Sequence, residues 1–152
     1  MTIEIEKYVN PLTDFGFKKI FGEEANIDLL INFLNSILNL SIKELTFKKT
    51  EHLGRTELDR RVIFDLYCID KDNNRFIIEL QKVRQKYFKD RTVYYSTFPI
   101  QEQAIKGDEW DFKLSPVYCV GILDFKFDED KKDNQYFYEV ELTEKRNKKS
   151  IL

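Results

Sequence analysis

Histidine occurs once in this chain of 152 residues, at His52, and cysteine twice, at Cys68 and Cys119. So few nitrogen and sulfur ligands exclude a zinc pattern built from paired Cys and His. Catalysis centred on histidine fails on the same count, because His52 stands in a charged stretch read as a loop. Proline (3) and glycine (5) are scarce, which excludes collagen-like and linker-like chains. No run approaches the roughly 20 apolar residues of a membrane span. The opening MTIEIEKYVN has acids where a signal peptide has a basic region and then an apolar one. A phosphate loop of the form G-x-x-x-x-G-K-[ST] is missing, which argues against ATP hydrolysis. Internal repeats and low-complexity tracts are missing too. Charge of one sign is also lacking. Lys and Arg number 25 against 27 Asp and Glu, for a net charge of −2. That excludes a basic nucleic-acid binder of the histone type, so any such contact must use a local patch. The two cysteines lie in apolar runs, LYCI and VYCVGI, and are expected to be buried free thiols of a reducing, cytoplasmic compartment.

What is present suits one folded domain over residues 1–152. Hydrophobic residues make up 42%, and aromatics 14%, enough for a core and too many for a disordered chain. Asp14 is a candidate cap for a short helix through Phe21, with Gly22 just past its end. A second helix is expected from an Asn26 cap, with Ile27, Leu30, Leu34, Ile37 and Leu38 at helical spacing and Asn39 at its end. Leu45–Lys49 reads as a short strand, and residues 50–60 as a loop or a strand extension. VIFDLYCI (62–69) and RFIIELQ (75–81) read as strands buried on both faces, joined antiparallel by the turn residues DKDNN. Residues 84–106 read as a helix with a break at Pro99. Val117–Phe125 is expected as another buried strand, and Tyr136–Leu142 as a last one, at an edge. The order predicts an α/β sandwich with a mixed sheet.

Two acids sit where apolar residues belong. Asp65 interrupts VIFDLYCI and Glu79 interrupts FIIEL, and neither has a cation within its strand. An ionised carboxylate there costs desolvation unless it is paired. Paired residues of an antiparallel hairpin have a constant index sum. A sum of 144 sets Asp65 opposite Glu79, a sum of 146 sets it opposite Gln81, and an odd sum separates the acids onto opposite faces. Carboxylates opposed at roughly 5 Å repel unless one is protonated or a cation lies between them. A Mg²⁺ ion, which takes one or two carboxylates plus waters and phosphate oxygens, is the economical solution. The alternative is that each acid ends its strand near water or an arginine.

The segment after Gln81 is basic. In KVRQKYFKDR, Lys82, Arg84, Lys86, Lys89 and Arg91 stand against Asp90 alone. On a helix, Arg84, Tyr87, Arg91 and Tyr95 (or Tyr94) fall near one face, suited to a phosphate backbone. A solvated helix surface is the plainer alternative. A second basic neighbourhood, with Lys48, Lys49, Arg55, Arg60 and Arg61, is diluted by Glu51, Glu57 and Asp59.

A strand Asp, a turn, and Glu-x-Lys on the next strand followed by a helix make up the core of the PD-(D/E)XK nucleases. This chain resembles that pattern with Asp65 and then Glu79-Leu80-Gln81, so that Gln replaces the usual Lys. With TDFGFKKIFG upstream and FKDRTVYYSTFPIQEQ downstream, it is similar to the PD-(D/E)XK family transposases, also called recombination-promoting nucleases, from about Asn10 to Phe127. The resemblance implies a restriction-endonuclease-like α/β core, its mixed central sheet flanked by helices. It also implies a metal-dependent DNA endonuclease. Asp65 and Glu79 match the metal-binding acids, for Mg²⁺ or Mn²⁺, and Gln81 matches the catalytic position. Asp14 matches an acid of the N-terminal motif, as a further ligand or as a helix cap. Arg91 and Tyr95 match polar positions on the following helix, and Lys82, Arg84, Lys86 and Arg91 are candidates for DNA contact and for the missing cation. Members commonly continue into a more helical tail, so the chain is expected to be a shortened one. Two other classes compete: a remnant that binds nucleic acid or protein without cutting, and a structural domain whose YYSTF and YFYEVEL segments form a homodimer surface.

Overall fold

A computed structural model describes residues 8–52, 61–104, 111–132 and 134–150. The expectations for residues 1–7, for most of the 50–60 loop with Arg55, Glu57, Asp59 and Arg60, and for the helix end at 105–106 lie outside them.

Helix α1 (Asp14–Phe21) starts at its expected cap, one residue early. Thr13, not Asp14, caps it, accepting the Gly16 N–H at 3.0 Å on Oγ1. Asp14 instead takes the first helical position and pairs with Lys18 one turn on, at 2.7 Å. Gly16 is required by the turn before the helix, because a Cβ there would lie 1.9 Å from the Asn10 carbonyl oxygen. Helix α2 (Ile27–Leu38) buries Leu30 and Leu34 completely. Asn39 ends it in the left-handed conformation, φ 52°. The Asn35 side chain then grips the Ile42 backbone at both N–H and C=O, which aims the chain into the sheet.

The sheet has four strands: β1 (Leu45–Phe47), β4 (Leu66–Asp70), β5 (Arg75–Gln81) and β6 (Val117–Leu123) in the order β1-β4-β5-β6. β4 is antiparallel to both of its neighbours, β1 and β5, and β6 runs parallel to β5. The connection to β6 passes over helix α3 (Phe88–Gln101), as parallel neighbours require. A separate ribbon pairs β2 (Glu51–His52) with β3 (Val62–Ile63). The central strands β4 and β5 are buried on both faces over Leu66–Cys68 and Phe76–Ile78, as their apolar runs predict, whereas β6, expected as a buried strand, is only half-buried with Gly121 exposed, because it stands at the edge of the sheet. Leu66, Cys68, Phe76 and Ile78 face α1 and α2, with Phe17, Leu30 and Leu34. Tyr67 and Ile77 face the α3 side, with Phe64, Tyr95 and Phe98.

Four expectations change. VIFDLYCI is two strands, broken at Phe64-Asp65, because Phe64 N–H turns to the Thr50 carbonyl while Leu66 onward pairs with β5. Helix α3 begins at Phe88, so Arg84 and Tyr87 precede it and do not share the face of Arg91 and Tyr95. The connector from 82 to 87 is held open by Gln81 Nε2 donating to the Val83 carbonyl at 2.6 Å. Pro99 lies in the last turn of α3, within the helix. Tyr136–Leu142 forms no strand. It has strand patterning but no ladder partner among the described residues, and Tyr136 and Val140 are 95% and 92% exposed. Both cysteines are free, Cys68 buried and Cys119 half-buried, and burial pushes each thiol up to about 12.

Candidate active site

The hairpin register has Leu66 opposite Ile78 and Tyr67 opposite Ile77, an index sum of 144. One step further sets Asp65 opposite Glu79, on the α3 face that Ile77 and Tyr67 share. The backbone ladder stops at this step and the two side chains continue it. Glu79 Oε1 accepts the Asp65 backbone N–H at 3.0 Å. Asp65 Oδ2 accepts the Leu80 backbone N–H at 2.8 Å. Each carboxylate is thus anchored by the opposite strand, while β5 continues beside β6 to Gln81. The acids sit where core burial fades along β5, from buried Phe76–Ile78 to half-buried Glu79–Gln81.

Glu79 is the perturbed member. Burial pushes its carboxyl up to about 7, and the Asp65 charge adds to this. The Asp65 N–H, Arg91 and Lys18 oppose the rise without cancelling it. Arg91 Nη2 stands 3.7 Å from Glu79 Oε2. Its hydrogen bonds go elsewhere: Nη2 donates to Gln81 Oε1 at 2.8 Å, and Nη1 donates to Gln85 Oε1. The guanidinium also lies against the Phe88 and Tyr95 rings, at 5.2 and 5.4 Å from their centroids. A cavity of about 10 Å³ opens between Glu79, Arg91, Tyr95 and Gly121, room for about one water. Gly121 is required here, since a Cβ would stand 2.7 Å from the Phe88 ring.

The donor set fits a hard divalent ion. Two carboxylates each keep one oxygen, Asp65 Oδ1 and Glu79 Oε2, outside the backbone bonds that fix them, and burial holds the Glu79 carboxyl above the usual carboxylate range. Among the described residues, no three His, Cys, Asp or Glu side chains cluster as a metal site. Asp14 is exposed and ion-paired with Lys18 at the start of α1.

The candidate cations separate clearly. Arg91 reaches Glu79. Arg84 pairs instead with Asp128, Lys86 lies over the Tyr87 ring, and Lys82 is exposed. Lys18 is a cation that the sequence reading missed; its charge is felt by both Asp65 and Glu79. The only signal for it was the four-residue spacing from Asp14. His52 was misjudged as a loop residue. It lies in β2 among Phe64, Tyr67 and Phe98, with Nδ1 2.9 Å from Glu102 Oε1. Tyr67 donates its hydroxyl to the other Glu102 oxygen at 2.6 Å, and burial raises that phenol. This cluster fastens the C-terminal end of α3 to the sheet, and α3 carries Arg91.

No curated protein and no solved structure matches the chain. The α/β layout, with its mixed four-stranded sheet between helices, is consistent with a restriction-endonuclease-like fold. The family model of the PD-(D/E)XK nuclease family transposases matches residues 11–152. With the strand Asp, the hairpin and Glu79-x-Gln81 leading into α3, the chain belongs to the PD-(D/E)XK nuclease family transposases.

Proposed function

We propose that the protein is a cytoplasmic, metal-dependent DNA endonuclease whose working centre is Asp65, Glu79, Gln81 and Arg91. The observation that carries the reading is the reciprocal clasp of Asp65 and Glu79, which leaves one oxygen of each acid outside its backbone bond, with Arg91 3.7 Å from that of Glu79. Asp65 and Glu79 would hold Mg²⁺ or Mn²⁺. Such an ion, when bound, lowers the pKa of a water and stabilises charge on the scissile phosphate. Gln81 acts here as a positioning residue. Its oxygen accepts from Arg91 and its nitrogen donates to the Val83 carbonyl, so the side chain is fixed at both ends. Arg91 supplies the fixed positive charge that Gln81 cannot, and a guanidinium suits a phosphoryl oxygen. Tyr95, Lys82, Arg84 and Lys86 extend the DNA-contacting surface along and before α3. Asp14 contributes through Lys18, whose ammonium it pairs with and whose charge acts on the acids.

The test is nicking of supercoiled plasmid with Mg²⁺ or Mn²⁺. Cleavage is expected, and Asp65→Ala or Glu79→Ala abolishes it. A second reading, binding without cleavage, is favoured by the uncharged Gln81. Folded protein that binds DNA but cuts with neither metal would replace the first reading with the second.

A further inference from the structure

The basic segment 82–91 is not open to solvent alone. The turn after β6 folds onto it. Arg84 pairs with Asp128, and Lys89 pairs with Glu129 at 2.9 Å and approaches Asp130 at 4.0 Å. Between them lies a groove of about 580 Å³. Arg84, Lys86 and Lys89 form one wall, and Phe127, Asp128 and Glu129 form the other; Asp90 adds one acid to the basic side.

The two walls are held with unequal strength. Phe127 is an anchor: its ring meets Phe88 at 6.3 Å and Phe125 at 5.4 Å, and carries the Lys89 ammonium at 4.7 Å. Phe88, the ring that Phe127 packs against, is buried and lines the Glu79 cavity. The Asp128 and Glu129 side chains beyond Phe127 are held by exposed ion pairs, Asp128 with Arg84 and with Lys131 at 2.6 Å, and Glu129 with Lys89. Such pairs contribute little to stability and exchange readily with salt. A carboxylate and a phosphate present the same chemistry to Arg and Lys, namely anionic acceptor oxygens.

We propose that this groove receives a nucleic-acid phosphate backbone, and that Asp128 and Glu129 occupy its cations as displaceable phosphate mimics. The inference rests on the DNA-cleaving reading and adds to it a built-in brake. DNA phosphates replace the two carboxylates on Arg84 and Lys89, while the Phe127 anchor stays in place. Sequences or structures that bring enough phosphate charge into the groove release the brake, and weak encounters do not.

The experiment measures fluorescence anisotropy of a labelled 20-base-pair duplex in EDTA, across a salt series. Asp128→Asn/Glu129→Gln is expected to bind about 10-fold more tightly than the natural chain at low salt, with a steeper dependence of log K on log[salt], by about 1–2 in slope, since two phosphate contacts no longer compete with internal pairs. Arg84→Ala/Lys89→Ala, added to that variant, is expected to remove the gain. The double variant Asp28→Asn/Glu44→Gln makes the same charge change away from the groove and is expected to leave both values near those of the natural chain. A folded Asp128→Asn/Glu129→Gln protein with unchanged affinity and slope overturns the proposal. So does an equal gain in the Asp28→Asn/Glu44→Gln control. In either case plasmid nicking by the natural chain would leave the nuclease reading intact. If no variant binds or cuts DNA, both fall together.

Discussion

Glu79, at the end of β5, and Asp128, in the turn after β6, each face an arginine, yet their carboxyls move in opposite directions. Glu79 is pushed up to about 7, and Asp128 is drawn down to about 2. The difference lies in solvent and in hydrogen bonds rather than in the nearness of a cation. The Glu79 side chain is 14% exposed, and desolvation is its largest influence. Its arginine stands 3.7 Å away and hydrogen-bonds Gln81 and Gln85 instead of the carboxylate. Asp128 is in water and accepts from both Arg84 and Lys131. One acid is therefore left wanting a cation, and the other is fully served by exposed ones. The first arrangement suits a binding centre. The second suits a contact that a competing anion can displace.

The contrast can be broken most severely at Glu79. In metal-free protein its ionisation opposes folding. The folded form keeps its proton up to about pH 7, whereas the unfolded chain loses it near 4.5. The stability loss therefore grows from about pH 4.5 to about pH 7 and is complete above. Glu79→Gln removes it, and urea unfolding in EDTA at pH 8 is expected to show the variant up to about 3 kcal/mol more stable. A variant less stable than the natural chain at that pH would mean that the Glu79 carboxylate is structurally satisfied. Next in size is Arg91. Arg91→Ala is expected to lower plasmid cleavage about 100-fold, in the range found for removing one charge-stabilising donor. Arg91→Lys should recover only part, because an ammonium cannot hold Gln81 and Gln85 at once. The smallest effect belongs to Asp128. Asp128→Asn is expected to change unfolding free energy by less than about 1 kcal/mol, as for exposed pairs generally. A large loss there would make the acidic turn a structural clasp instead of a displaceable one.

The hairpin was the most legible element. RFIIELQ marks β5 from end to end, and DKDNN marks its turn. The turn works because Asp70 Oδ1 accepts from both Asp72 and Asn74 N–H, and Asn73 takes positive φ. Alternation within the two strands reduced the placement of Asp65 against Glu79 to a choice of index sum, and the structure selects 144. Asn39 as the end of α2 was legible for a similar reason, since a left-handed residue is a local backbone choice. Other features lacked any local signal. The break at Phe64-Asp65 arises because β3 pairs with β2 rather than with β5. The Tyr136–Leu142 segment shows the converse: strand propensity forms no strand without a ladder to join.

The sequence by itself determined the layered α/β architecture, the hairpin, and the two carboxylates misplaced in apolar strands, because these follow from side-chain periodicity and from the cost of burying charge. Which cation answers those carboxylates was a tertiary decision. Five basic residues crowd positions 82–91, and their spacing ranks none of them. Only the start of α3 at Phe88, fixed by packing against Gly121, turns Arg91 toward Glu79 and leaves Arg84 and Lys89 to the acidic turn. Distances between residues far apart in the chain set these electrostatic pairings, and only the packed fold defines such distances.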